Sequence, residues 1–188
     1  MKKTNLKIFG NHNLLNLQAA FLVCKELNIN DSNFARFIVG FTGASKRLEL
    51  LTQTAEYAVF RDFAHAPSKV MASINAVKQQ FPERKLVAVL ELHTFSSLNE
   101  KFINEYSGTM ENADESIVFY SKHALELKRM PPLEPQSVIN GFNKSNLEVI
   151  TERKQLEERL GNINCSNTNF LFMSSGNYDG MDILKTIN

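Results

Sequence analysis

Cysteine is scarce in this sequence, and long apolar segments are absent from it. The two cysteines, Cys24 and Cys165, form no C-x-x-C pair, so neither a disulfide framework nor a zinc site is expected. Apolar runs such as "LVAVL" (86–90) are far shorter than a membrane span. The basic start of the chain lacks the apolar stretch of a signal peptide. We therefore expect a cytoplasmic protein with no membrane partner.

An excess of charge of one sign is also absent. The chain carries 21 basic and 20 acidic side chains among its 188 residues. No run of lysine or arginine is long enough to follow a phosphate backbone, so no nucleic-acid partner is expected. A chain of this length can bury one substantial core and part of a second. We expect a monomer made of one domain and a piece of another.

From about residue 44 the pattern is typical of an α/β domain. Short apolar runs alternate with amphipathic segments, which predicts a Rossmann-like, mostly parallel sheet with helices on both faces. The predicted strands are 48–54, 57–62, 86–92, 116–120, 147–151 and 170–175, and helices are predicted after the last five. The first of these helices is expected to bury Val70, Met71, Ile74 and Val77.

Two helices precede this domain. Residues 13–27 are apolar nearly all round, which suits a helix buried among partners that lie outside this chain. Asp31 is placed to cap a second helix, and Gly43 is placed to end it. The apolar face of the second helix is predicted from the spacing of Phe34, Phe37, Ile38 and Phe41.

Polar segments follow three of the predicted strands. They are "DFAHAP" (62–67), "ELHTFSS" (91–97) and "SSGNYDG" (174–180), and each combines polar side chains with small residues. The carboxyl ends of parallel strands meet at one edge of a sheet, where α/β proteins bind ligands. The sequence therefore predicts a binding site on this rim, although serine and asparagine also fill ordinary turns.

Three kinds of catalytic site are not supported. A Ser-His-Asp hydrolase would need a G-x-S-x-G elbow, and Asp62 and His65 lie on one loop. Metal ligation by His65 and His93 would need carboxylates, and we expect Glu91 to point to the opposite face of the strand, so no metal site is predicted. The segment "GFTGAS" (40–45) lacks the lysine and the preceding strand of a phosphate-binding loop.

Four segments together resemble the last part of the Mur ligases, the ATP-dependent amide ligases of peptidoglycan synthesis. The family patterns are approximately G-x-H-N-x-x-N-x-x-A-A, F-x-G-x-x-[KR]-R-x-E and D-[YF]-[AG]-H-x-P, followed by a terminal strand and loop. The matching segments, in order, are "GNHNLLNLQAA" (10–20), "FTGASKRLELL" (41–51), "RDFAHAPSKV" (61–70) and "FLFMSSGNYDGM" (170–181).

The resemblance implies a domain organisation. Mur ligases have a UDP-sugar-binding domain, a central ATPase domain and a C-terminal Rossmann-like domain that binds the incoming amino acid or peptide. Residues 1–43 are then a helical remnant of the central domain, and residues 44–188 form the C-terminal domain. We expect a fragment that is inactive alone. ATP and Mg²⁺ are implied for the full-length enzyme, and neither is expected to be held by this chain alone.

The resemblance also implies a reaction. The motifs look most like the ligase that joins the tripeptide L-Ala-γ-D-Glu-meso-diaminopimelate to UDP-N-acetylmuramate, and the ligase that adds L-alanine to the same sugar is the close second. In both, ATP phosphorylates the lactoyl carboxylate, and an amine then displaces the phosphate. A free-standing, non-catalytic α/β binding module is the alternative from another class.

Individual roles are carried over from the family motifs. The resemblance implies that Arg47 reaches the ATP phosphates as the catalytic arginine and that Asp62 accepts hydrogen bonds from the ribose. Residues implied to meet the adenine are His12, Asn13 and Asn16. The alternatives are helix capping for the asparagines and an ion pair with Glu49 for Arg47.

The pocket for the incoming substrate is placed by the resemblance on the other two rim segments and His65. Its implied residues are His65, His93, Thr94, Ser174, Ser175, Gly176 and Asn177. The alternative is that the serine, threonine and asparagine side chains only cap the following helices. Many family members have aspartate and histidine where this chain has Arg61 and Ala66, so no second histidine acts here.

Overall fold

The computed structural model describes residues 5–187, so the first four residues of the predicted segment 1–43 and the last residue of the predicted domain 44–188 lie outside it. Six strands form one sheet in the order β1-β2-β6-β3-β4-β5, in which only β1 is antiparallel to its neighbour. This confirms the predicted, mostly parallel α/β sheet. The strands are β1 (Glu49–Gln53), β2 (Tyr57–Asp62), β3 (Lys85–Glu91), β4 (Glu115–Phe119), β5 (Leu147–Ile150) and β6 (Thr168–Met173).

Helices cover both faces of this sheet. The core on the face of Phe60 includes side chains of α3 and α6, and the core on the face of Val59 includes side chains of α7. The helices are α1 (Asn11–Glu26), α2 (Asp31–Ile38), α3 (Pro67–Gln80), α4 (Glu100–Ile103), α5 (Lys122–Leu127), α6 (Pro135–Phe142), α7 (Arg153–Gly161) and α8 (Ile183–Thr186). Short 3₁₀ turns at Asn104–Tyr106 and Tyr178–Gly180 complete the described elements. The boundary between residues 43 and 44 stays a prediction.

Several local predictions are wrong. The cap of α2 is Asn30, whose side chain accepts the amide of Asn33, whereas Asp31 is the first helical residue. The helix ends at Ile38, three residues before the predicted Phe41. Met71 is 45% exposed because it follows Val70 by only one position and therefore turns away from the sheet. The helix α5 has no counterpart among the predicted helices.

The all-round apolar helix is present as α1. Among the described residues it has no buried side chain, and Leu15, Leu22 and Val23 are exposed. It contacts α2 through the rings of Phe21 and Phe34, whose centroids are 5.0 Å apart. The partners expected for this helix stay a prediction.

Glu115 holds an ion-pair network at the amino ends of the strands. Its carboxylate accepts from Arg159 at 2.8 Å and from Lys85, and Arg159 also bonds Glu148 at 2.7 Å. Burial opposes ionisation of Glu115, but the bonds from Lys85 and Arg159 outweigh it and lower its pKa. The network therefore stabilises the fold above the ordinary glutamate pKa and loses that effect as the pH falls through the lowered value.

We expect Glu115→Gln to reduce the free energy of unfolding by about 1 kcal/mol at pH 7, since the network is partly exposed. The difference from the parent chain should shrink as the pH falls below about 4. Urea unfolding at both pH values measures it. The exposed Glu158→Gln on α7 is the control, and an equal loss in that variant would contradict the assignment.

Candidate functional site

The three polar segments lie side by side at one edge of the sheet. They follow β2, β6 and β3, which are adjacent in that order. The amide of Ser174 donates to the carbonyl oxygen of Asp62 at 3.0 Å, so the first two segments are bonded to each other. The predicted rim is therefore formed. Two groups of side chains lie on this rim.

The start of α1 is packed against this edge. Phe9 meets the rings of Phe60 and Phe81 edge-on, with centroids 5.6 and 6.1 Å apart. Gly10 has a φ of +87°, and a Cβ at this position would lie 2.7 Å from the Cβ of Ala76 on α3. A side chain at Gly10 is therefore excluded by both conformation and space. This close approach places His12, in the first turn of α1, beside the end of β2.

We call His12, Arg47, Asp62 and Lys69 the His12 corner. Burial lowers the pKa of His12 below 6.5, the carboxylate of Asp62 opposes this, and the positive charges of Lys69 and Arg47 add to the lowering. The charges of Asp62, Lys69 and Arg47 thus all act on His12. The sequence singled out three of them, and Lys69 was missed because a lysine in the first turn of a helix carries no signal of its own.

Arg47 lies exposed on a loop with unusual backbone. Its neighbours Lys46 and Leu48 have φ values of 55° and 51°, in the left-handed region. The amide of Phe63 donates to the carbonyl oxygen of Lys46 at 2.8 Å, which ties the loop to the residue after β2. The guanidinium of Arg47 lies 5.5 Å from the centroid of the Phe63 ring. The loop therefore presents the arginine next to the rim.

Glu49, the alternative ion-pair partner of Arg47, is paired with Arg61 instead. Arg61 donates to Glu49 at 2.9 and 3.3 Å across β1 and β2. Glu49 also accepts from the amide of Lys46 at 2.8 Å, and this bond, followed by the bonds from Arg61, lowers its pKa. Arg61, which departs from the family pattern, thus has a structural role at the edge of the sheet.

Asp62 is a buried acceptor, only 5% exposed. One carboxylate oxygen accepts the amide of Ala64 at 2.9 Å, and the other accepts the hydroxyl of Ser73 at 3.0 Å. These bonds turn the chain from β2 into α3. Each carboxylate oxygen keeps a second lone pair that can accept a further hydrogen bond. The bond to a ribose stays a prediction.

Three further predicted residues lie near this corner and make local contacts. Nδ1 of His65 lies 2.8 Å from the carbonyl oxygen of Phe63, a contact that fixes its ring. The side-chain NH₂ group of Asn13 donates to the carbonyl oxygen of Phe9 at 3.0 Å, but among the described residues no side chain caps the start of α1. Asn16 is exposed one turn further along α1, on the same side as His12. Their roles toward adenine and substrate stay predictions.

The second group, which we call the Glu91 cluster, consists of Glu91, His93, Ser174, Gly176 and Tyr178. Glu91 is 2% exposed, and one of its oxygens accepts the hydroxyl of Ser174 and the amide of Tyr178, the latter at 2.9 Å. Its other oxygen lies 3.5 Å from Nδ1 of His93. The expectation that Glu91 points away from His93 is therefore wrong, because side chains two residues apart lie on the same side of an extended chain.

The other predicted rim residues close local turns. Thr94 and Ser97 exchange bonds in which each hydroxyl accepts the other residue's amide, at 3.0 and 3.1 Å. Asn177 accepts the amide of Gly180 at 3.3 Å. Within the described part of the chain, the buried hydroxyl of Ser175 has no hydrogen-bond partner. Asn177 thus makes the contact of the capping alternative, whereas Thr94 closes a turn and the cap of α4 is Asn99.

The His12 corner fits the phosphate end of a nucleotide better than it fits a metal ion. Arg47 and Lys69 are cations that can bind phosphate oxygens. Within residues 5–187, no three histidine, cysteine, aspartate or glutamate side chains are grouped to hold a metal. Over the same residues, no helix is long and apolar enough to cross a membrane.

A family model describes most of this chain. Residues 46–176 match the model of the Mur ligase glutamate ligase domain. The match begins on the loop that carries Arg47 and ends at Gly176 in the Glu91 cluster.

The chain is similar in sequence to proteins named as ligases. The chain is 28% identical over 96% of its length to a UDP-N-acetylmuramate–L-alanine ligase of Ruthia magnifica, and 31% identical over 61% of its length to one of Desulfitobacterium hafniense. It spans only 40% and 25% of these two relatives. Two solved structures share its fold. A UDP-N-acetylmuramate–alanine ligase of Thermotoga maritima matches with a TM-score of 0.70 and 20% identity, over 97% of this chain and 37% of that one. A murein peptide ligase of Psychrobacter arcticus matches with a TM-score of 0.67 and 19% identity, over 98% of this chain and 38% of that one.

Proposed function

This chain belongs to the Mur ligase family, and on that premise we propose that it supplies the amine-donor site and part of the ATP site of a ligase. The ligase joins L-Ala-γ-D-Glu-meso-diaminopimelate to UDP-N-acetylmuramate at the expense of ATP. The proposal includes Mg²⁺ as a requirement of the complete protein and a cytoplasmic monomer as its setting.

One observation carries this proposal. Two clusters of different chemistry, the His12 corner and the Glu91 cluster, share one rim and are joined by the Ser174–Asp62 backbone bond. The first offers two cations for phosphate, and the second offers an imidazole, held by a buried carboxylate, for an amino substrate. An amide ligase needs its nucleotide and amine sites next to each other, because the amine must reach the carbonyl that ATP has activated.

In this proposal the His12 corner binds ATP and the Glu91 cluster orients the amine. Arg47 would bind phosphate oxygens and neutralise the charge that develops as the phosphoryl group is transferred. Asp62 would accept from the ribose, and His12, Asn13 and Asn16 would lie toward the adenine. The Glu91 cluster would orient the amine for its attack on the activated carboxylate, after which the tetrahedral intermediate expels phosphate.

The second candidate substrate is L-alanine. It is favoured by the names of the curated relatives, which are L-alanine ligases. The tripeptide is favoured by the combination of "DFAHAP" and "SSGNYDG", which looks most like the peptide ligase of the family.

The test is the amine-dependent release of ADP by the complete protein. We expect ADP release to require UDP-N-acetylmuramate and the tripeptide together, with kcat/KM at least about tenfold higher for the tripeptide than for L-alanine. A preference for L-alanine would select the second candidate. No ADP release with either amine would contradict the ligase and favour the non-catalytic binding module.

The 188-residue chain alone is expected to release no phosphate from ATP above background. Its sequence has no phosphate-binding loop, and phosphoryl transfer depends on such a loop and on metal ions that bridge the phosphates. A phosphate-release assay of the purified chain measures this. Activity that disappears in Arg47→Ala would overturn the expectation, whereas activity that survives the substitution would indicate a contaminating enzyme.

A further inference from the structure

We propose that Glu91 is a positioning residue for the incoming amino substrate: it fixes His93 and the loop after β6 in one arrangement. The proposal rests on the proposed function and adds to it a residue that the family motifs quoted above do not contain. Glu91 is 2% exposed, so a substrate on the rim would not contact its carboxylate directly. Its effect on a substrate would therefore pass through the groups that it holds.

The contacts of Glu91 join two loops that are far apart in sequence. One oxygen accepts from Ser174 and from the amide of Tyr178 at 2.9 Å, both on the loop after β6. The hydroxyl of Ser174 in turn accepts the amide of Gly176 at 2.6 Å. The other oxygen faces His93, on the loop after β3, at 3.5 Å. A single carboxylate thus determines how the two loops lie relative to each other.

Gly176 gives independent support for a fixed arrangement. A Cβ at this position would lie 2.8 Å from Oε2 of Glu91 and 2.8 Å from Cγ and Nδ1 of His93. Contacts this short are not tolerated, so any side chain here would push the histidine or the loop away. The loop after β6 is therefore closed down directly onto the imidazole. Tyr178 supports it from below, since its hydroxyl lies 2.9 Å from the carbonyl oxygens of both Val89 and Met173.

The orientation of His93 gives the site its chemistry. Because Nδ1 faces a carboxylate, Nδ1 carries a proton, and Nε2 is left as the nitrogen available to a ligand. In the neutral ring Nε2 is an acceptor, which suits the amino group of the incoming substrate. About a third of the side chain is exposed, so a ligand on the rim can reach it.

Kinetics of the complete protein test the role. Glu91→Gln keeps the shape but places an NH₂ group, which only donates, either toward Nδ1 of His93 or toward the donors Ser174 and Tyr178. We expect the KM for the amino substrate to rise at least about tenfold while the KM for ATP changes less than about twofold. Glu91→Asp keeps the charge and should give an intermediate rise. Glu115→Gln, which loses a carboxylate at the opposite end of the sheet, should leave all KM values unchanged.

A second measurement does not depend on activity. In ¹⁵N NMR spectra of the 188-residue chain, we expect neutral His93 to carry its proton on Nδ1, and Glu91→Gln to abolish that preference and to accelerate hydrogen exchange of the Tyr178 amide. Absence of ligase activity in the parent protein would refute the proposed function and leave this measurement to decide the positioning. In the NMR measurement, the proposal would be overturned by a proton on Nε2 of His93 in the parent chain, or by unchanged hydrogen exchange of the Tyr178 amide in Glu91→Gln. In the kinetics, it would be overturned by an equal rise of the KM values for ATP, sugar and amine.

Discussion

Replacing Arg47 with alanine in the complete protein is expected to lower kcat by about 10²–10³-fold. In the proposed site the guanidinium meets charge that develops on the transferring phosphoryl group, and the loss of one such preorganised donor has effects of about this size. The side chain is exposed and lies over the ring of Phe63, so its removal should cost the fold little. Steady-state kinetics with saturating sugar and amine measure the change.

Arg36→Ala is the matched control for this experiment. Arg36 is also exposed and also lies over a phenylalanine, with its guanidinium 4.7 Å from the ring centroid of Phe37. It lies on α2, away from the rim. Unchanged kcat in Arg47→Ala, or an equal loss in Arg36→Ala, would show that Arg47 takes no part in catalysis.

Replacing Asp62 with alanine is expected to raise the KM for ATP by about 10- to 100-fold. Hydrogen bonds to a charged carboxylate contribute about 1.5–3 kcal/mol, and the ribose would lose them. The same substitution also removes the acceptor for Ala64 and Ser73. Part of any effect could therefore come from the turn between β2 and α3, and the experiment must separate the two causes.

Ser73→Ala separates them. It removes the bond from the serine hydroxyl but keeps the carboxylate of Asp62, so a structural effect that passes through Ser73 would appear in both variants and a ribose contact in Asp62→Ala alone. We expect the KM for ATP in Ser73→Ala to stay within about twofold of the parent value. If both variants raise this KM equally, the ribose contact is refuted and Asp62 serves only the turn.

Much of the fold could be predicted because the local signals agree with the global arrangement. β2 was predicted with its correct bounds, and Pro135 begins α6 as expected for a proline in the first turn. Where two weak signals competed, the prediction was wrong. Asn30 and Asp31 are both good caps, and only the backbone geometry decides between them.

The site was predictable in its position but not in its contacts. The rim follows from the parallel direction of the strands, which alternating strands and helices imply. Glu91 was missed as a site residue because it comes near the end of the aliphatic segment "LVAVLEL" (86–92), and its partners lie more than eighty residues away in sequence. The signal that could have found it is an acid inside a strand that is otherwise fully apolar.

The burial of the tyrosines makes this fold sensitive to alkali. Burial raises the pKa of Tyr106 and Tyr120 to about 12, and burial next to Glu91 raises that of Tyr178 well above 10. In the unfolded chain each phenol would lose its proton near pH 10. The stabilisation from these neutral phenols is complete below that pH and is lost as the pH rises through the raised values. Strong base therefore destabilises the fold at Tyr178, the residue that supports the loop after β6.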